Sequence, residues 1–138
     1  MRGVFLDLEY VLPVMREQGH GTVVDTTRVG GIRGVGDRSG YAASKHGVAG
    51  LTRGSGVEYG RFGISVKAIA PGAIVTPMVE ASLKQIDPVN REAAGKEFVS
   101  VNPTKRSGGP VAAFLLSDQS SSSNATVVAI DGGQSEKY

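Results

Sequence analysis

Residues 22–27 read Thr-Val-Val-Asp-Thr-Thr, a nearly unbroken β-branched run between Gly21 and Arg28. It does not alternate apolar with polar positions. Such a run fits a strand covered on both faces, as in a parallel sheet. Ile64 to Ala70 is a second apolar run, stopped by Pro71-Gly72, and Ala125 to Ile130 is a third, closed by Asp131-Gly132-Gly133. Helical patterns lie between and before them. In residues 3–17, Val4, Phe5, Leu8, Val11, Leu12 and Met15 recur at spacings of three and four. Pro13 inside that pattern should kink or divide the helix, and Gly19 and Gly21 end it. A second helix is expected from about Ser39 to Tyr59. Its small residues Ala43, Gly47, Gly50 and Gly54 form a stripe suited to close approach of another helix or a sheet. Met78 to Gln85 and Val89 to Phe98 read as two short helices split at Asp87-Pro88, and Val111 to Leu116 as a third. The serines from Ser117 to Ser123 read as a polar loop. Strands alternating with helices imply an α/β fold: a partial Rossmann-like parallel sheet of three strands near 22–28, 64–70 and 125–131, with flanking helices.

Composition narrows the function. The 138 residues are 40% hydrophobic and 20% charged, with 20 glycines, enough for one modest domain. A net charge of +2 makes no electrostatic case for nucleic acid. Without cysteine there is no disulfide framework and no thiolate metal site, and no metal is expected. No apolar run approaches the length of a membrane span, and the start lacks the layout of a signal peptide, so a cytoplasmic setting is expected.

Two patterns carry chemistry. Tyr41 and Lys45 stand four apart on the expected helix, one turn apart on the same face. An ammonium near a phenol favours the phenolate, whose ordinary pKa is about 10, and lets the pair exchange a proton with an alcohol or ketone. The second pattern is Ile69-Ala70-Pro71-Gly72-Ala73-Ile74-Val75-Thr76-Pro77. It opens a loop at the carboxyl end of a strand, where open α/β sheets bind ligands. A third pattern competes with these. Gly30, Gly34 and Gly36 follow a strand and precede a helix like a dinucleotide phosphate loop, with Glu58 about twenty residues on. But Glu58 falls near the end of a helix rather than at a strand tip, and Tyr41 follows too closely for two separate sites.

Taken together, Tyr41-x-x-x-Lys45, the Pro71-Gly72-x-x-x-Thr76 loop and Asp131-Gly132-Gly133 resemble the short-chain dehydrogenase/reductase family in order and spacing along nearly the whole chain. Residues 71–101 are most similar to its bacterial levodione-reductase-like members. The resemblance implies a Rossmann sheet that binds NAD or NADP and interconverts an alcohol and a ketone by hydride transfer. It makes Tyr41 the general acid/base, with Lys45 assisting it and bonding the nicotinamide ribose. It places Pro71, Gly72, Ile74 and Thr76 along the nicotinamide, and makes residues 78–98 a variable lid over a small-molecule substrate.

The departures from the family are equally specific. Residues 1–138 are expected to be the C-terminal portion of a single domain, with the cofactor half, its glycine loop and the active-site asparagine missing. The position of the family's catalytic serine, thirteen residues before Tyr41, is Arg28. Thr27 would point to the opposite face of the strand. About two turns of helix are expected to be missing between Pro110 and Val111. Two readings follow. One is an NAD(P)-dependent oxidoreductase. The other is a catalytically inactive fragment or interaction module, with weak cofactor binding by this chain alone. In either case the strand at 22–28 would be an unprotected sheet edge, so a homo-oligomer is expected, with no nucleic-acid or membrane partner.

Overall fold

The computed structural model of the chain describes residues 1–86, 90–107 and 110–137. Helix α1 (Arg2–Gln18) leads into strand β1 (Gly21–Thr26), helix α2 (Ser39–Tyr59) and strand β2 (Ile64–Pro71). Helices α3 (Pro77–Ile86), α4 (Arg91–Val99) and α5 (Ala112–Leu116) then precede strand β3 (Thr126–Ile130). The strands form one parallel sheet in the order β1-β2-β3, with Val23 opposite Val66 and Ala68 opposite Val127. The expected α/β fold is therefore present. The expected break at Asp87-Pro88 lies outside the described residues.

The sheet is covered unequally. Beneath α1 and α2, Ile64, Val66, Ala68 and Ala70 are all buried, and Leu8 and Leu12 of α1 close the core over Ile64 and Val66. Burying each such leucine contributes about 1.5–3 kcal/mol. The opposite face carries Ser65 and Lys67, and its cover there is the five-residue α5 with the turn after it.

Four local expectations are corrected. First, α1 runs through Pro13 undivided. Glu9 and Pro13 are both exposed, so water can satisfy the Glu9 carbonyl that loses its helical donor. The apolar stripe of α1 is also wider than the face the sheet takes: Phe5 and Val11 are 48% and 39% exposed. Second, the buried side of α2 is Ala42, Val48, Ala49, Thr52 and Gly56. A methyl group on Gly50 or Gly54 would meet open space, whereas one on Gly56 would lie 2.8 Å from the Ala125 Cα. Third, the first and last strands are shorter than expected, whereas β2 runs one residue further, to Pro71. Thr27 still donates its N–H to Ile69, but β1 ends at Thr26, and a 3-10 turn forms over Val29–Gly31. Ala125 adopts φ 53°, outside strand geometry, before β3 begins. Fourth, the serine run is not simply a solvated loop. Ser120 is buried, and its hydroxyl accepts from Lys67 at 2.8 Å and donates to the Leu115 carbonyl.

Candidate active site

The carboxyl ends of β1 and β2 converge with the first turns of α2. Tyr41, 43% exposed, and Lys45 share one face of that helix, with the Lys45 Nζ 5.9 Å from the Tyr41 ring centroid. The ammonium also donates to the Thr26 carbonyl at 3.4 Å, which ties it to the end of β1. The backbone is tied there as well. The buried Thr27 hydroxyl donates to the Lys45 carbonyl at 2.7 Å, so Thr27 points at α2.

The glycine loop serves this packing. A methyl on Gly31 would collide with the Thr27 Oγ1 and lie 2.7 Å from the Lys45 carbonyl oxygen. A methyl on Gly30 would touch the Tyr41 ring at 3.5 Å. Both glycines are buried, so this turn seats α2 on the sheet.

Arg28 leaves the end of β1 in an extended conformation and reaches across to β2, where its Nη1 donates to the Gly72 carbonyl at 3.0 Å. Pro71, Gly72, Ile74 and Thr76 line the loop that leaves β2. Gly72 is buried, and a methyl there would come within 2.7 Å of both the Asn102 Oδ1 and the Asp131 Cα. The Thr76 hydroxyl accepts from the Val79 amide at 3.3 Å, capping the start of α3 just before Pro77.

Sequence reasoning missed Asn102. It is 1% exposed; its Oδ1 accepts from the Ala73 amide, and its Nδ2 donates to the carbonyls of Ala73 and Arg106. One side chain therefore holds both backbone groups of the residue after Gly72. No periodicity marks it, since it lies 29 residues away in sequence. Asp131 completes the clamp. Burial opposes its charge, but hydrogen bonds from Ser135 and the Gly133 amide outweigh this and hold its carboxyl below the usual carboxylate range. Gly132 and Gly133 turn the chain away at φ 60° and 87°.

Tyr41 and Lys45 on α2 and Arg28 just after β1 all lie at the carboxyl end of the sheet, Lys45 tied to Thr26 and Arg28 to Gly72 of the Pro71–Thr76 loop. A cleft of about 500 Å3 lies at the opposite, amino end of the strands, among His20, Thr22, Ser65, Asp118 and Asn124, so cavity size does not mark this end. No group of side chains suited to a metal ion, and no helix long and apolar enough to cross a membrane, occurs among the described residues.

Residues 1–135 match the family model described as enoyl-(acyl carrier protein) reductase. The chain is 65% identical to levodione reductase of Leifsonia aquatica over all of this chain and 54% of that protein. It is 33% identical to cyclohexanol dehydrogenase of an Acinetobacter species over 99% of this chain and 52% of that protein. Among solved structures, it resembles the crystal structure of levodione reductase with a TM-score of 0.87, covering 100% of this chain and 55% of that one. It also resembles a variant actinorhodin polyketide ketoreductase with NADPH, with a TM-score of 0.75 and 32% identity, covering 89% of this chain and 50% of that one. The chain spans about half the length of the curated relatives it matches. With its parallel sheet and its Tyr41–Lys45 helix, the chain belongs to the short-chain dehydrogenase/reductase family.

Proposed function

We propose that the chain supplies the proton-transfer side of an NAD(P)-dependent oxidoreductase acting on a small alcohol or ketone in the cytoplasm. The observation that carries this is the pairing of Tyr41 and Lys45 on the first turns of α2, with the ammonium tied to the end of β1. In the oxidative direction the ionised Tyr41 oxygen, stabilised by the Lys45 ammonium, takes the hydroxyl proton and becomes the neutral phenol. In the reductive direction Tyr41 returns the proton to the carbonyl oxygen. The cofactor supplies the hydride acceptor or donor. The described residues fit only its nicotinamide end, where Lys45 and the Pro71–Thr76 loop offer polar groups. The names of a levodione reductase and a cyclohexanol dehydrogenase among the relatives support a small carbonyl or alcohol substrate.

A second reading, that the chain is catalytically inactive, is supported by Arg28. Its guanidinium is fixed on the Gly72 carbonyl, and Arg28 stands at the position in sequence where the family's serine would polarise a substrate. One experiment separates the two: fuse the N-terminal half of a family relative to this chain and follow alcohol-dependent reduction of NAD and NADP by absorbance. The first reading expects turnover that Tyr41→Phe abolishes. The second expects none until Arg28→Ser is introduced. Turnover insensitive to Tyr41→Phe would sink the first reading.

A further inference from the structure

Two cations are held at the carboxyl end of the sheet without an ion-pair partner among the described residues. Arg28 and Lys45 are anchored at the end of β1, one to the Gly72 carbonyl and the other to the Thr26 carbonyl. Both partners are neutral. The one ion pair among the described residues is Lys96 with Glu92, on α4. An arginine carries five N–H donors in a planar fork matched to a carboxylate, and here a single donor is directed at Gly72. The bond to Gly72 holds the guanidinium at the mouth of the loop, so the rest of the fork is pre-oriented at little further entropic cost.

We propose that this end of the sheet takes a small substrate bearing a carboxylate, with the carboxylate on Arg28 and the carbonyl or hydroxyl group toward Tyr41. The proposal rests on the reading of Tyr41 and Lys45 as the reacting end. It also resolves the conflict that Arg28 poses there. An unneutralised guanidinium repels a positively charged nicotinamide ring, whereas a guanidinium paired with a substrate carboxylate does not. Selectivity follows from the same charge. A neutral ketone leaves the guanidinium unpaired as the site is desolvated, and a carboxylate pairs with it.

The test is a titration of the whole chain, followed by amide and tyrosine-ring NMR signals, with 4-oxopentanoate against the neutral pentan-2-one. Two variants accompany it. Arg28→Gln removes the charge yet can still donate to the Gly72 carbonyl, so the loop keeps its anchor. Arg28→Lys keeps the charge and loses the fork. The expected result is that 4-oxopentanoate shifts both the Gly72 amide and the Tyr41 ring, and that added salt weakens it. Binding should fall by about tenfold or more in Arg28→Gln and by less in Arg28→Lys, and pentan-2-one should bind at least about tenfold more weakly than the keto acid. If pentan-2-one moves Tyr41 as effectively and Arg28→Gln changes nothing, the carboxylate proposal falls while Tyr41 and Lys45 remain a carbonyl site. If neither compound moves the Tyr41 ring, both the proposal and the reading beneath it fall.

Discussion

The Thr27 hydroxyl donates to the Lys45 carbonyl across 2.7 Å, joining the end of β1 to the helix that carries Tyr41. The residue is 2% exposed, so the bond is made away from water. Thr27→Val keeps the shape and removes the donor. We expect a loss of about 1 kcal/mol, the net worth of one such bond, in urea unfolding. A tilted α2 would also move the Tyr41 ring signals. An unchanged midpoint would mean that the bond contributes nothing.

Asn102 is the residue whose loss should loosen the Pro71–Thr76 loop most. Three hydrogen bonds depend on it, two of them to Ala73. Asn102→Ala leaves those backbone groups buried and unpaired, which costs about 2–4 kcal/mol. Hydrogen exchange at the Ala73 amide should accelerate well before the core amides do. Uniform acceleration across the sheet would show that Asn102 supports the whole fold rather than this loop.

Lys67 is fully buried, with two neutral acceptors, Leu115 O and Ser120 Oγ. Burial pushes its pKa below the ordinary 10.5. The unfolded chain then holds this proton to higher pH than the folded one, so stability should rise with pH in the window leading up to 10.5. Lys67→Met should flatten that rise. It should also leave neutral-pH stability equal or about 1 kcal/mol higher, because a desolvated ammonium is exchanged for apolar packing. Ser120 retains its own bond to Leu115. Loss of several kcal/mol in the methionine variant would show that the ammonium is needed to hold α5.

Asp25 behaves in the opposite sense. Burial raises its pKa above 3.8; the Thr52 hydrogen bond at 2.7 Å offsets part of this, and the nearby Asp7 charge adds to the rise. The folded chain holds this proton more tightly than the unfolded one. The stabilisation is complete below 3.8 and is lost as pH climbs through the higher folded value. Asp25→Asn still accepts from Thr52 and carries no charge. We expect it to be more stable at neutral pH by about 1–3 kcal/mol, with the decline above acid pH removed. Thermal melts of both proteins from acid to neutral pH decide the matter, and parallel curves would refute it.

Among the described residues β1 pairs only with β2, so one edge of β1 is open. Open edges recruit strands. We expect concentration-dependent self-association in sedimentation, reduced by Val24→Lys on β1. A monomer at all concentrations would overturn this.

Much of the architecture was legible because it is local. Continuous β-branched runs marked three parallel strands, and the four-residue spacing brought Tyr41 and Lys45 onto one helical face. Thr27, expected on the face away from the site, instead bonds the Lys45 carbonyl on α2, and Arg28 reaches Gly72. The boundaries failed where a single backbone angle departs from the run, as at Ala125, whose side chain fits a strand but whose φ does not. The stripe on α2 held only at Gly47, which the Met1 side chain approaches, because small residues permit close approach on any side and which side is used depends on the partner. Gly56 meets Ala125, while Gly50 and Gly54 meet nothing.

The sequence by itself determined the element types, their parallel order and the placing of Tyr41 and Lys45 one turn apart on one helix. These follow from backbone propensity, side-chain period and a one-turn spacing, all of which act within a few residues. The tertiary structure alone decided that Arg28 anchors on Gly72, that Asn102 clamps Ala73 and that Lys67 reaches Ser120. Those contacts join residues 44, 29 and 53 positions apart. Each is set by buried polar groups that must find partners once the sheet has formed, a demand that leaves no period in the chain.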